Sequence, residues 1–279
     1  MVASNHLEGI ITNQNRVTNM QVVFLDIEKY SKRRTSMQVS LIDQFTGILK
    51  KALDQVGKAY LDYAQKNNLN FKNDIILIPT GDGAAVVFPF EALPGIHLDY
   101  AKEVLLEIFN INSTNHCEEF MSEGWCNCHP NLNVRIGIAE GKGIIYKDIN
   151  GNYNVAGNVI NMASRVMGLA DSNQIIFTKD AHDQLIDLID IPDLYKQFIE
   201  YNDIEIKHGV KISVYHFTGH DEEYLNRVVP DKLYLRQRTN LISKKMKNIS
   251  LGEEQFDEKK MLEFFEGFIG SISGQKSIG

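Results

Sequence analysis

Residues 21–31 read QVVFLDIEKYS, four consecutive apolar residues running into Asp26, with Ile27 behind it. A run with no polar alternation predicts a strand buried on both faces. It also leaves a carboxylate where the strand leaves the core, and such a group needs a cation or a hydrogen-bond donor. Residues 74–90, DIILIPTGDGAAVVFPF, carry apolar runs on both sides of Thr80-Gly81-Asp82-Gly83, a hairpin turning at Gly-Asp-Gly. Between these segments Leu41, Phe45, Ile48, Ala52, Val56 and Tyr60 recur at helical spacing, so one long helix is expected over about residues 40–66. A second amphipathic helix over about residues 96–111 turns Ala101, Val104, Leu105, Ile108 and Phe109 inward.

Further on, NVRIGI at 133–138 is a strand containing Arg135. Glu140-Gly141-Lys142-Gly143 is read as a turn into Ile144-Ile145-Tyr146, making a hairpin, and 148–154 as an Asn/Gly-rich loop. In GNVINMASR, Asn158 is an expected helix N-cap, and Val159, Ile160, Ala163, Val166 and Met167 give an apolar face. Asn161 and Arg165, four apart, share one face of that helix. A strand at 174–178, a helix at 179–188 and a hairpin around His208-Gly209 complete the pattern. Residues 1–19 read as a polar arm. Residues 219–279 read as a small, mostly helical accessory segment with a late apolar cluster around Phe264, Phe265 and Phe268. The element order predicts an α+β domain over 20–218, with an antiparallel-rich sheet covered on one face by helices.

Composition adds limits. The chain has 279 residues, 43% hydrophobic and 23% charged, enough for one large domain and an appendage. A net charge of −7 argues against general affinity for nucleic acid or an anionic membrane, and no apolar run is long enough to span one, so a cytoplasmic protein is expected. Cys117, Cys126 and Cys128, flanked by His116 and His129, hold soft metal ligands. Their spacing matches no common zinc motif, and the expectation is an insertion loop with reduced thiols. Asp26 and Asp82, each at the tip of a buried strand, point instead to a shared divalent cation on oxygen ligands.

Taken in order, FLDIEKYS, TGDG, VRIGIAEGKGI, GNVINMASR and, more weakly, IEIKHGVKISVYHF resemble the catalytic domain of class III nucleotidyl cyclases. The resemblance runs from about residue 20 to 218 and implies a ferredoxin-like cyclase fold. It implies two divalent ions, Mn²⁺ or Mg²⁺, on Asp26 and Asp82 with the carbonyl of Ile27. Arg135 would contact the terminal phosphates and Lys207 the β- and γ-phosphates. Asn161 would position the ribose, and Arg165 would neutralise charge at the α-phosphate. The family's sites are composite, so a head-to-tail homodimer with two sites is implied. A non-catalytic domain of the same fold would be expected to have lost one of these residues. A diguanylate-cyclase-like palm would carry GG[DE]EF where this chain has TGDG.

At the two base-selecting positions of purine-specific members, this chain has Ile78 and Asn154. Isoleucine neither donates to nor accepts from a purine edge, and a buried edge without partners costs about 1–3 kcal/mol per group. The departure makes the chain similar to the bacterial pyrimidine cyclases of Pycsar anti-phage systems. That resemblance implies UTP or CTP as substrate, with UTP favoured, and a cyclic product that activates a separate effector protein.

Overall fold

The apolar run of 22–25 sits inside β1 (Val17–Ile27), a central strand between β3 (Gly83–Phe88) and β4 (Val134–Lys147). The structure is a computed structural model that describes residues 6–12, 17–90, 95–114, 131–189 and 191–235. The chain to Leu235 is one compact unit and 236–279 a second. The second unit, with its late apolar cluster, lies outside the described residues, as do the three cysteines. β2 (Ile76–Pro79), β5 (Tyr153–Ala156), β6 (Gln174–Thr178), β7 (Phe198–Glu205) and β8 (Lys211–Phe217) complete an eight-stranded mixed sheet. Its order is β2-β3-β1-β4-β6-β8-β7, with β5 paired to β4; only β4 and β6 run parallel. The expected α+β architecture is present.

Alternation along β1 sorts the sheet's two faces. Val23, Leu25 and Ile27 point to one face, under α2 (Thr35–Ala59) and α5 (Ile96–Thr114), and form the main core with Phe45, Phe88 and Tyr100. Met20 and Val22 point to the other face, where they meet Leu7, Ile78 and Val155. The second face is not bare. It carries α1 (His6–Thr12) and α6 (Asn158–Met167), so helices lie on both faces where the sequence suggested one. The intervening short helices are α3 (Leu61–Lys66) and α4 (Phe71–Asp74), and α7 (Lys179–Leu188) follows β6.

Several local expectations are corrected. The long first helix breaks at Tyr60, whose backbone leaves helical geometry at φ −101° and ψ 18°. Phe109 is 38% exposed and does not face the core. Residues 141–143 make no turn: β4 runs straight through, paired with β1 from Ile27↔Val134 to Val17↔Ile144. Its glycines serve close packing. A Cβ on Gly143 would lie 2.7 Å from Met20 Sδ and Cε, and one on Gly137 would lie 2.3 Å from the Ala163 carbonyl oxygen and the Met167 nitrogen of α6. The loop read at 148–154 contains the start of β5. Asn158 is the first residue of α6, not its cap. The cap is Gly157 at φ 151°, where a Cβ would lie 3.1 Å from Gly143 Cα. The arm before residue 20 supplies α1, whose Leu7 is fully buried, and the first residues of β1.

Candidate active site

Asp26 lies at the end of β1, on the α6 face of the sheet by the alternation above. Cross-strand pairing places it beside Gly83 on β3 and Arg135 on β4. The Gly-Asp-Gly turn brings Asp82 to the same tip. The Ile27 amide donates to the Asp82 carbonyl at 3.1 Å, and the Thr80 amide to that of Gly83 at 3.0 Å. Gly83 must be glycine here, because a Cβ would stand 2.2 Å from the Leu25 carbonyl oxygen. Arg135 donates through Nη2 to Asp26 Oδ2 in a half-buried ion pair. Burial pushes the Asp26 carboxyl above the usual aspartate range. The Arg135 guanidinium pulls against this, while the neighbouring Asp82 raises it further and Lys232 lowers it.

Glu28 flanks the tip. Burial drives its carboxyl up, but the Ser172 hydroxyl and the Lys29 ammonium more than offset that and hold it below the ordinary range. Its backbone amide bonds the Asn133 carbonyl at 2.8 Å. Sequence reasoning passed over Glu28. Its position two residues after Asp26, just past the end of β1, was the available signal.

The donor set at the tip fits a hard divalent cation. Two carboxylates stand close enough for one to raise the other, and the backbone at Ile27 offers a carbonyl oxygen. Among the described residues no group of three or more His, Cys, Asp or Glu side chains converges to hold a metal. Two carboxylates with substrate phosphates completing the sphere is the arrangement Mg²⁺-type sites use. Arg135 is engaged with Asp26 in this state.

Of the remaining expected residues, those on α6 lie on the same sheet face as Asp26, and Lys207 lies at the far end of the sheet. Asn161 is exposed and Arg165 half-buried on α6, whose apolar face packs on β4; Arg165 Nη1 lies 3.9 Å from Met162 Sδ. Lys207 is exposed on a 3₁₀ turn between β7 and β8. The pairing of β4 with β6, β6 with β8 and β8 with β7 puts that turn at the opposite end of the sheet from Asp26. Gln174 stands opposite Arg135 and Ile175 opposite Phe217, whereas Lys211 pairs with Glu205. Ile78 is 8% exposed within the apolar cluster of Leu7, Val22 and Val155. Asn154, half-buried on β5, accepts the Val155 amide on its Oδ1 at 2.7 Å. A cavity of about 830 Å³ between α2, α3 and α4 is lined by none of these residues. No helix among the described residues is long and apolar enough to cross a membrane.

The profile of the family described as adenylate and guanylate cyclase catalytic domain matches residues 80–219, half of the chain. Among solved structures the chain is similar to the guanylyl cyclase Cya2, with 14% identity over 76% of this chain and 98% of that one and a TM-score of 0.53. It is also similar to adenylate cyclases of Trypanosoma brucei, with 17% identity over 79% and 96% and a TM-score of 0.50. The guanylate cyclase domain of RhGC from Catenaria anguillulae aligns at 19% identity over 73% and 98%, with a TM-score of 0.48. No curated protein matches the sequence.

Proposed function

The chain belongs to the adenylate and guanylate cyclase catalytic domain family, and from that premise we propose that it converts UTP, or less readily CTP, to the 3′,5′-cyclic monophosphate and pyrophosphate. Two divalent cations, Mn²⁺ or Mg²⁺, held by Asp26, Asp82 and the Ile27 carbonyl would supply positive charge at the phosphates and at the attacking 3′-oxygen. The chain's own residues do the rest. Arg135 exchanges its partner, from the Asp26 carboxylate to a terminal phosphate. Asn161 fixes the ribose, so that its 3′-oxygen faces the α-phosphate. Arg165 meets the charge that grows there as the bond to pyrophosphate breaks, and Lys207 holds the leaving group. Positioning and charge neutralisation suffice for such a transfer, with no protein nucleophile.

Two chains are required for this assignment. From the level of Asp26, Lys207 is about 20 Å along the strands and about 15 Å across them, taking six residues of β8 and three strand spacings. A lysine cannot cover that distance, so in this reading Lys207 comes from a second copy, and by the family resemblance Asn161 and Arg165 come with it. The proposed assembly is a head-to-tail homodimer with two sites.

The pyrimidine reading is carried by the pair Ile78 and Asn154. Ile78 carries no group that could donate to or accept from a purine edge, and it is buried in the apolar cluster. The Val155 amide, a donor, takes up one lone pair of the Asn154 oxygen, and the NH₂ group is the donor that side chain can present. A donor suits the O4 carbonyl of uracil and opposes the amino group of cytosine. By the same resemblance the cyclic product would act as a messenger for a separate effector in anti-phage defence. The deciding experiment is mass identification of the product formed from an equimolar mixture of the four NTPs with Mn²⁺. Cyclic UMP should dominate, with purine turnover at least about tenfold lower in kcat/KM. Fastest formation of cyclic AMP or cyclic GMP would remove the pyrimidine assignment. No pyrophosphate from any NTP would remove the catalytic one.

A further inference from the structure

After β8 the chain doubles back, and residues 226–233 are stitched to the loop that leaves α6. Asn226 donates its backbone amide to the Asn173 carbonyl at 3.1 Å and its side-chain amide to the Ser172 carbonyl at 2.9 Å. Its own carbonyl accepts from His216 Nε2 at 3.2 Å. Gln174 is fully buried and uses both ends of its amide: Oε1 accepts the Asp171 amide at 2.8 Å, and Nε2 donates to the Val228 carbonyl at 2.6 Å. The Asp231 amide bonds the Asp171 carboxylate at 2.8 Å. Leu233, fully buried, joins Val166, Leu169 and Ala170 in one apolar cluster. The loop held in this way also reaches the metal strand, because its Ser172 hydroxyl is bonded to Glu28.

Within this strap, the Lys232 ammonium donates to the carbonyl of Gly168, the C-cap of α6. Helix C-termini present carbonyls without intrahelical donors and the negative end of the helix dipole, so a cation there both bonds and compensates charge. Arg165 is three residues away, in the last turn of the same helix. We propose that Lys232 is a positioning residue for the reaction, its ammonium fixing the last turn of α6 and hence the place from which Arg165 meets the α-phosphate. This rests on the cyclase reading above for its consequence, though not for its geometry. A strap that merely covered the sheet would make Lys232 matter for stability alone.

The test uses the full chain with Lys232→Met, which keeps the stem and removes the charge, and Lys232→Arg, which restores it. Hydrogen exchange of the amides at 166–169 should be about five- to tenfold faster in the Met variant, the size of one charge-assisted bond at a partly exposed helix end. β1 and β3 amides should stay unchanged and the Arg variant should be near wild type. With the preferred NTP, kcat should fall by about the same factor while KM stays within about twofold, and arginine should recover most of it. Unchanged exchange at 166–169, a Met variant with wild-type kcat, or an Arg variant no better than Met would overturn the proposal. If the wild type forms no cyclic product, the functional reading fails and the exchange measurement alone decides the positioning of α6.

Discussion

His97 sits in the first turn of α5, 1% exposed, with its ring against Phe177 at a centroid distance of 5.7 Å. Among the described residues neither ring nitrogen has a hydrogen-bond partner. Burial without a partner disfavours the imidazolium and drives the pKa down from 6.5 to about 3. In the unfolded chain the same ring titrates near its ordinary value. Below pH 6.5 the unfolded state therefore takes up a proton that the folded state refuses. Stability is lost as pH falls from about 6.5 towards 3, at about 1.4 kcal/mol per unit. Between pH 7 and pH 5 that amounts to about 2 kcal/mol, or roughly 4–8 °C in Tm for a unit of this size. Glu140 works in the opposite direction. Burial raises its carboxyl to about 7, so it favours the folded state as pH falls below that value. A single pH curve therefore mixes signs, and the informative quantity is a double difference. Thermal melts at pH 7 and pH 5, for wild type and for His97→Leu, isolate the histidine because Glu140 contributes equally to both proteins. The wild type should lose about 2 kcal/mol more than His97→Leu over this interval. Equal losses would refute the reasoning, showing that His97 is protonated as readily in the folded chain as in the unfolded one.

Two other perturbations probe the site and its packing. Asp26→Asn and Arg165→Ala should each abolish turnover alone with circular dichroism unchanged. An equimolar mixture should recover about a quarter of wild-type activity, since half of randomly formed dimers are mixed and each has one intact site; no recovery in proven mixed dimers would place the whole site within one chain. Gly137→Ala should destabilise the protein by about 1–3 kcal/mol, because a methyl group would meet the backbone of α6 at 2.3 Å. Gly47→Ala, where a Cβ meets nothing within 4 Å, should leave denaturant midpoints unchanged or slightly raised, so a similar loss in both would refute the packing argument.

The parts of this fold that could be read in the sequence are those whose cause is local. The run into Asp26 and the Gly-Asp-Gly turn are set by neighbouring residues, and Asn161 and Arg165 share a face by helical spacing alone. The errors arose where a residue answers to something distant in the chain. Gly141 and Gly143 carry the composition of a turn, but Gly143 is there because Met20 lies across β4, and Gly137 because α6 does. The ion pair of Asp26 with Arg135 depends on strand register across more than a hundred positions, which no window of sequence contains. Leu7, Ile10 and Ile11 share helical spacing over only one short stretch, and their burial is decided by the cluster waiting on the sheet.

The alternation of strand directions that puts Lys207 and Asp26 at opposite ends of the sheet has a consequence for dosage. Under the proposed composite site, in which Lys207 is supplied by a second copy, a lone chain is silent and output is governed by encounters between chains. While chains are scarce and mostly single, the amount of dimer grows with the square of their number, so doubling the protein quadruples the product. Proportionality returns only once nearly every chain is paired. Under that proposal a small rise in abundance gives a larger rise in product, and pairing of chains alone produces the steepness.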